Sequence, residues 1–273
     1  MIPKKIHYCW FGDNPIPDKD KKNIESWKKF CPDYEIIKWY ETNYDVNKIR
    51  YIKEAYQCRK YAFVSDYARL DILYNEGGIY LDTDVEIIKN IDDLLDNTAF
   101  CGFEKGGFGI GLGLMCGSEK GSRIIKELRD YYNDKNFLKE DGSMILDVID
   151  KYTDAVLLPK GLIHNDKMQV IEGLKVYPSE YFGTMDYYAG MEIGRTDNTR
   201  SLHHYNASWI SQDRRNYLEN QRALAKKYGY KKLKNGKAEQ IKNFKDDLAS
   251  VKQEKGAIYA FFYRLKHFWK VYF

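Results

Sequence analysis

Asp82 and Asp84 stand two residues apart, separated by Thr83, directly after the short apolar run Ile79-Tyr80-Leu81. Two carboxylates at that spacing offer hard oxygen ligands of the kind that suit magnesium or manganese, which keep open positions for phosphate oxygens. In open α/β sheets the ligand site lies outside the carboxyl ends of the strands. An apolar strand that runs from Gly77-Gly78 into a carboxylate pair therefore predicts a metal site at the working edge of a sheet. Taken alone, the same D-x-D spells an ordinary turn just as well. Upstream, Asp66 and Arg69 lie at i, i+3 and project from one helix face. As an isolated surface ion pair they would be worth roughly 1 kcal/mol or less. As functional groups, Asp66 would accept from ligand hydroxyls, and the planar guanidinium of Arg69 would suit phosphate.

The elements that must hold these residues are legible as an α/β pattern. Ile6–Phe11 reads as a buried strand ended by the turn cluster Gly12-Asp13-Asn14-Pro15. Asp18 reads as the N-cap of a helix carrying Ile24, Trp27 and Cys31 at helical spacing, and residues 34–40 read as a second strand. Strand, helix, strand in that order opens a domain built on a parallel sheet. Residues 61–75 predict a helix capped by Gly77-Gly78, and 79–81 and 85–88 predict strands. Further strands are expected at 99–103 and 112–116, and helices at 121–132 and 143–152. Residues 155–210 give only short, irregular signals, and the chain turns helical and basic beyond Asp213.

Composition narrows the class. A chain of 273 residues with 44% hydrophobic and 31% charged content is long enough for one full core and is not compositionally disordered. Its 24 tyrosines are a mild pointer to stacking surfaces. Cys9, Cys31, Cys58, Cys101 and Cys116 are odd in number and include no C-x-x-C, which speaks against a disulfide framework or a zinc ribbon and for a reducing compartment. No signal-peptide pattern precedes the first strand, and no stretch approaches the ~20 apolar residues of a membrane span. The expectation is a cytoplasmic protein. Residues 222–273 hold 14 Lys and Arg against 4 Asp and Glu, a net of +10, while the whole chain carries only +4. Within that tail Ile258, Phe262, Leu265, Trp269 and Tyr272 recur every three to four residues among Arg264, Lys266 and Lys270. Such a stripe forms either an interfacial helix drawn to anionic lipid at the inner face of the cell membrane, or a terminal helix packed on the body. The expected division is a catalytic domain over 1–212 and a basic helical extension over 213–273.

Read together, residues 61–86 (YAFVSDYARLDILYNEGGIYLDTDVE) resemble the DXD-containing sugar-binding region of bacterial capsular-polysaccharide and Och1-type glycosyltransferases, a family related to the glucosyltransferase domain of clostridial toxins. Residues 2–12 match that family's first strand, Pro32–Glu35 with Trp39 its second, and His203–Trp209 its late H-H-x-x-x-S-W segment. The resemblance implies a GT-A type fold, a Rossmann-like mixed sheet flanked by helices, here with a C-terminal helical extension. It implies metal-dependent transfer of a hexose from a UDP-sugar, with retention, to a glycan or lipid-linked acceptor in capsular or surface polysaccharide synthesis. Trp10 would stack on uracil, Tyr80 would flank the donor, and Asp66 and Arg69 would bind sugar and phosphate. Asp84 would ligate Mn2+ or Mg2+ directly, Asp82 would bridge donor and metal, and His204, in preference to His203, would complete the metal shell. Ser208 and Trp209 would contact the diphosphate. One departure is Gly111, which stands where many relatives carry an acceptor-side Asn.

Two other readings compete. Asp82-Thr83-Asp84-Val85 also fits the D-x-D-x-[TV] loop of haloacid-dehalogenase-like phosphatases, but Asp92-Asp93 follows too soon to be the later acidic pair of that chemistry. A non-enzymatic carbohydrate- or membrane-binding module would use the tyrosines and the basic tail without needing four clustered charged residues. Nucleic acid is not an expected partner, because the net positive charge is confined to the tail and carries no recognised fold signature.

Overall fold

The computed structural model describes residues 1–105, 109–207 and 210–234. In chain order the elements are β1 (Lys5–Cys9), α1 (Asp18–Phe30), β2 (Glu35–Trp39), α2 (Arg50–Gln57), α3 (Tyr61–Glu76), β3 (Gly78–Tyr80) and β4 (Val85–Ile87). They continue with β5 (Ala99–Gly102), β6 (Cys116–Ser118), α4 (Arg123–Asp130), α5 (Ile149–Leu157), β7 (Gln169–Ile171), β8 (Leu174–Tyr177), β9 (Ser201–His203) and α6 (Gln212–Tyr228).

Seven strands form one sheet in the order β2-β1-β3-β6-β5-β8-β7. β1 runs parallel to β2 and β3, and β5 runs parallel to β8, while β6 pairs antiparallel with both β3 and β5. This is the helix-flanked mixed sheet of the GT-A type expected above. β4 leaves the main sheet and pairs antiparallel with β9, a small ribbon that brings residues 201–203 beside residues 85–87.

Most expected elements lie within a few residues of their place, and four differ. Asp18 is the first residue of α1, and Pro17 occupies the cap without a side-chain hydrogen bond. The strand expected at 112–116 begins at Cys116, because Gly111 and Leu114 close a turn through a backbone bond of 3.2 Å. The helix expected at 143–152 starts at Ile149, after a non-helical 143–148 in which alternate residues are exposed. α2 was not anticipated at all; its eight residues are too few for a periodic signal.

The tyrosines serve mainly the core. Tyr51, Tyr132, Tyr152 and Phe137 form an edge-to-face cluster with centroid separations of 5.0–6.1 Å, which joins α2, α4 and α5 on one side of α3. The pointer to stacking surfaces is accordingly weakened. On the first strands, His7 is fully buried. Its Nε2 lies 2.8 Å from the Gly77 carbonyl, and its Nδ1 accepts from Trp39 Nε1–H at 3.0 Å. Both contacts suit the neutral Nε2–H tautomer. Gly78 has φ +102°, and a Cβ there would meet His7 Nε2 at 2.8 Å, so the Gly77-Gly78 punctuation is required by the turn into β3.

The chain divides into two compact units. One comprises Met1–Met185 with Glu192–Trp209; the other comprises Asp186–Met191 with the chain from Ile210. The second unit contains α6, whose N-cap Ser211 accepts from the Arg214 amide. The apolar stripe Ile258 to Tyr272, like Ser208 and Trp209, lies outside the described residues. No described helix is long and apolar enough to cross a membrane.

Candidate active site

Register explains why the expected residues meet. β1 and β3 are parallel with His7 opposite Tyr80, so the chain leaves both strands at one sheet edge, at Trp10 and Asp82 respectively. Trp10 is half-buried there, and its indole N–H is fixed on the Asn14 carbonyl at 2.7 Å. The turn that follows β3 is held from α1, where Asp20, Asn23 and Trp27 form a buried stripe at i, i+3, i+7. Asn23 Nδ2 donates to the Thr83 carbonyl at 3.0 Å, Trp27 Nε1 to the Val85 carbonyl at 2.7 Å, and Thr83 Oγ1 to Asp20 at 3.1 Å. The Ile87 amide in turn donates to Ser26 Oγ at 2.9 Å.

On that clamped turn, Asp82, Asp84 and His203 bring one ligand atom each within 4.8 Å of one another. His203 closes β9 opposite Val85, and its Nε2 lies 2.9 Å from Asp84 Oδ1. Successive strand side chains point to opposite faces, so the next residue diverges: His204 Nε2 sits 3.0 Å from Glu86. The residue that joins the carboxylates is His203, not the expected His204. Asn206 completes the surround, its amide donating to Asp84 Oδ2 at 2.7 Å. Its neighbours Tyr205 and Ala207 have φ of +49° and +48°, a left-handed pair costing on the order of 1 kcal/mol or more each, which turns that amide toward the carboxylate.

Electrostatics follow from this packing. Burial favours a neutral Asp84, but the His203 charge, its hydrogen bond and the Asn206 amide outweigh burial and hold the carboxyl low. Burial likewise opposes charge on His203, and Asp84, then Asp82 and Glu104, overcome it and raise the imidazole. The Nδ1 of His203 is buried without a partner among the described residues. Two carboxylates and an imidazole with converging atoms fit a divalent ion, provided the imidazole gives up its proton.

Asp66 and Arg69 are not the surface pair that their spacing alone allows. Arg69 is buried, with Nη1 3.2 Å from Asp66 Oδ1 and Nη2 3.1 Å from Asp82 Oδ1. The pair thus sits beside the carboxylate turn. Burial is the main influence on Asp66; Arg69 opposes it and Asp82 adds to it, and the carboxyl is pushed up to about 6. Tyr80, expected to flank the donor, is packed against Asp82 and Arg69. It is 1% exposed, donates to Asp82 Oδ1 at 3.0 Å and lies under the Arg69 guanidinium, 5.0 Å from the ring centre.

Sequence reasoning missed Asp20, Asn23 and Asn206. The first two carried a signal, since polar residues share the helical stripe of Trp27. Asn206 lay inside the H-H-x-x-x-S-W segment.

Residues 17–101 match the family described as glycosyltransferase sugar-binding region containing DXD motif. This part of the chain is similar to that family. The region holds Asp66, Arg69, Asp82 and Asp84, while His203 and Asn206 come to it from the β9 side. Similar proteins include inositol phosphoceramide mannosyltransferase 3 of Schizosaccharomyces pombe, 35% identical over 107 residues, which are 36% of this chain and 29% of that protein. Subversion of eukaryotic traffic protein A of Legionella pneumophila is 32% identical over 31% of this chain and 17% of its own length. The matches thus span less than a third of these relatives. Among solved structures, PaToxG glycosyltransferase aligns over 59% of this chain and 70% of its own, with 21% identity and a TM-score of 0.45.

Proposed function

We propose that the protein is a metal-dependent glycosyltransferase that moves a hexose from a UDP-sugar to a hydroxyl of a glycan or lipid-linked acceptor, in capsular or surface polysaccharide synthesis. The observation that carries this reading is the convergence of Asp82, Asp84 and His203 within 4.8 Å, with buried Arg69 reaching Asp82 from the DXD sugar-binding region. Asp82, Asp84 and His203 would hold Mn2+ or Mg2+. A divalent ion bound there supplies charge stabilisation to a departing diphosphate, worth several kcal/mol in such sites.

The chain's own residues supply the rest. Arg69 is pinned between two carboxylates, so it needs little reorganisation to meet negative charge developing on the leaving group. Asp66, raised by burial beside that guanidinium, would accept from sugar hydroxyls. The half-buried Trp10, at the end of the strand beside β3, would take the nucleotide base. Retention belongs to the proposal through the resemblance to retaining relatives, and a front-face attack by the acceptor hydroxyl is the mechanism it carries. The enzyme would work in the cytoplasm at the inner membrane face, with the basic tail drawing it to anionic lipid.

The test is hydrolysis of UDP-glucose and UDP-galactose without acceptor, with and without Mn2+, alongside thermal unfolding with UDP. Metal-dependent release of UDP and a rise in Tm of several degrees are expected, because a ligand bound only by the folded state stabilises it by mass action. No turnover and no shift with any UDP- or GDP-hexose would end the proposal. Flotation with anionic liposomes, lost on truncation after residue 250, tests the membrane contact separately.

A further inference from the structure

Asp20 lies in the first turn of α1 and is 3% exposed. Both of its carboxylate oxygens are engaged, and by two different segments. Oδ2 accepts from Thr83 Oγ1 at 3.1 Å, and Oδ1 accepts from Asn206 Nδ2 at 2.8 Å. Thr83 is the residue between Asp82 and Asp84. Asn206 follows His203 along the chain and gives its amide to Asp84 Oδ2 at 2.7 Å. One buried carboxylate thus joins the carboxylate turn to the segment that carries His203.

That segment needs such a hold. Tyr205 and Ala207, on either side of Asn206, both sit in left-handed backbone, a conformation that persists only where the surroundings over-determine it. The Asn206 side chain also borders a cavity of about 380 Å3, whose lining includes Lys22, Glu86 and His204 and no apolar side chain. On this side hydrogen bonds, not apolar packing, fix the side chain. Besides donating to Asp20, it accepts from Lys19 Nζ at 2.5 Å. Lys19 is exposed and can trade this contact for water; Asp20 is buried and cannot.

Resting on the glycosyltransferase reading, we propose that Asp20 is a positioning residue for Asp82, Asp84 and His203, acting through Thr83 and Asn206. Thr83, held by its side chain, fixes the turn from which the two carboxylates project. Asn206, held likewise, aims its amide at Asp84 and anchors the chain just after His203. Losing a group that orients metal ligands costs about 10- to 100-fold in affinity or activity. The role is geometric, so it requires polar atoms in place and not a charge. Asp20→Asn keeps both bonds, since its amide oxygen accepts from Asn206 and its N–H donates to the Thr83 hydroxyl, which takes either role.

The experiment compares full-length wild type, Asp20→Ala, Asp20→Asn and Asn206→Ala by calorimetric titration with Mn2+. In metal-free protein, NMR follows exchange at the Asn206 amide against the Leu81 amide, which is bound to the His7 carbonyl at 3.1 Å and reports opening of the sheet as a whole. Asp20→Ala is expected to weaken Mn2+ affinity by about tenfold and to speed exchange at Asn206 by about tenfold relative to Leu81. Asp20→Asn is expected to bring both back to within about threefold of wild type. Asn206→Ala cuts the same link from its half-buried end and leaves Asp20 bonded to Thr83. It is expected to lose Mn2+ affinity too, and the double variant with Asp20→Ala to lose no more than Asp20→Ala alone. A merely structural role would lower Tm without moving the Mn2+ affinity of the folded protein. Unchanged affinity in Asn206→Ala, or in a folded Asp20→Ala, overturns the proposal. Equal loss in Asp20→Asn and Asp20→Ala overturns it as well, by making the charge of Asp20 the cause. A wild type that neither binds Mn2+ nor is stabilised by UDP removes the underlying glycosyltransferase reading, and this assignment with it.

Discussion

Asp84 and His203 face each other across the β4–β9 ribbon, with Nε2 of the imidazole 2.9 Å from Oδ1 of the carboxylate. The contact joins residues 119 positions apart and makes the late histidine segment part of the carboxylate turn. It also separates the two histidines by position. His203→Ala should weaken Mn2+ affinity by roughly 10- to 100-fold, the usual consequence of losing a ligand or its close support. His204→Ala, which frees only a half-exposed Glu86, should change it less than threefold. Calorimetric titration with Mn2+ decides, and equal losses in both variants would contradict the assignment.

Asp84→Asn keeps the shape of the side chain and removes its charge. Metal-dependent turnover should fall by about 100-fold or more, while Tm stays within a few degrees, because the amide oxygen can still accept from the Asn206 backbone. Turnover near the wild-type rate at saturating Mn2+ would remove Asp84 from the metal set.

Gly113→Ala should cost both stability and activity, because its Cβ would meet the Asp82 carboxylate. Overpacking of this kind destabilises by about 1–3 kcal/mol, and displacement of Asp82 should lower kcat by roughly tenfold. Denaturant unfolding and UDP-sugar hydrolysis read the two effects separately. A variant with unchanged kcat would show that Asp82 can move without consequence.

His7 makes the protein acid-sensitive away from the site. Burial is the main cause of its depression to about 4 from an ordinary 6.5. Above 6.5 neither the folded nor the unfolded chain is protonated at this position. Between 6.5 and 4 only the unfolded chain takes the proton, so stability falls as pH drops through that window, by up to roughly 3 kcal/mol. His7→Gln should flatten this limb of the pH–stability curve. Parallel curves for the two proteins between pH 7.5 and 4 would show that His7 is not the responsible group.

The framework was legible where the chain signals locally. Ile79–Leu81 running into two carboxylates, and Asp66 with Arg69 on one helix face, need only period and spacing. The carboxylate–imidazole cluster was half legible: the H-H pair announced itself, but which histidine turns inward depends on strand pairing with Val85, and pairing partners are not written in either strand. The depth of Tyr80 was not legible, because an aromatic at a strand end looks the same whether it lines a pocket or supports it.

The helix beneath the carboxylate turn has a consequence for how the protein breathes. Asn23, Ser26 and Trp27 bind the backbone at residues 83, 87 and 85, so the turn cannot lift away unless α1 leaves with it and Trp27 enters water. The Val85 amide, held by the Asp82 carbonyl, and the His204 amide, held by the Asp84 carbonyl, should therefore rank among the slowest to exchange with deuterium. A loop that carries chemistry is usually among the first parts of a fold to open; here its lifetime is tied to that of the fold itself.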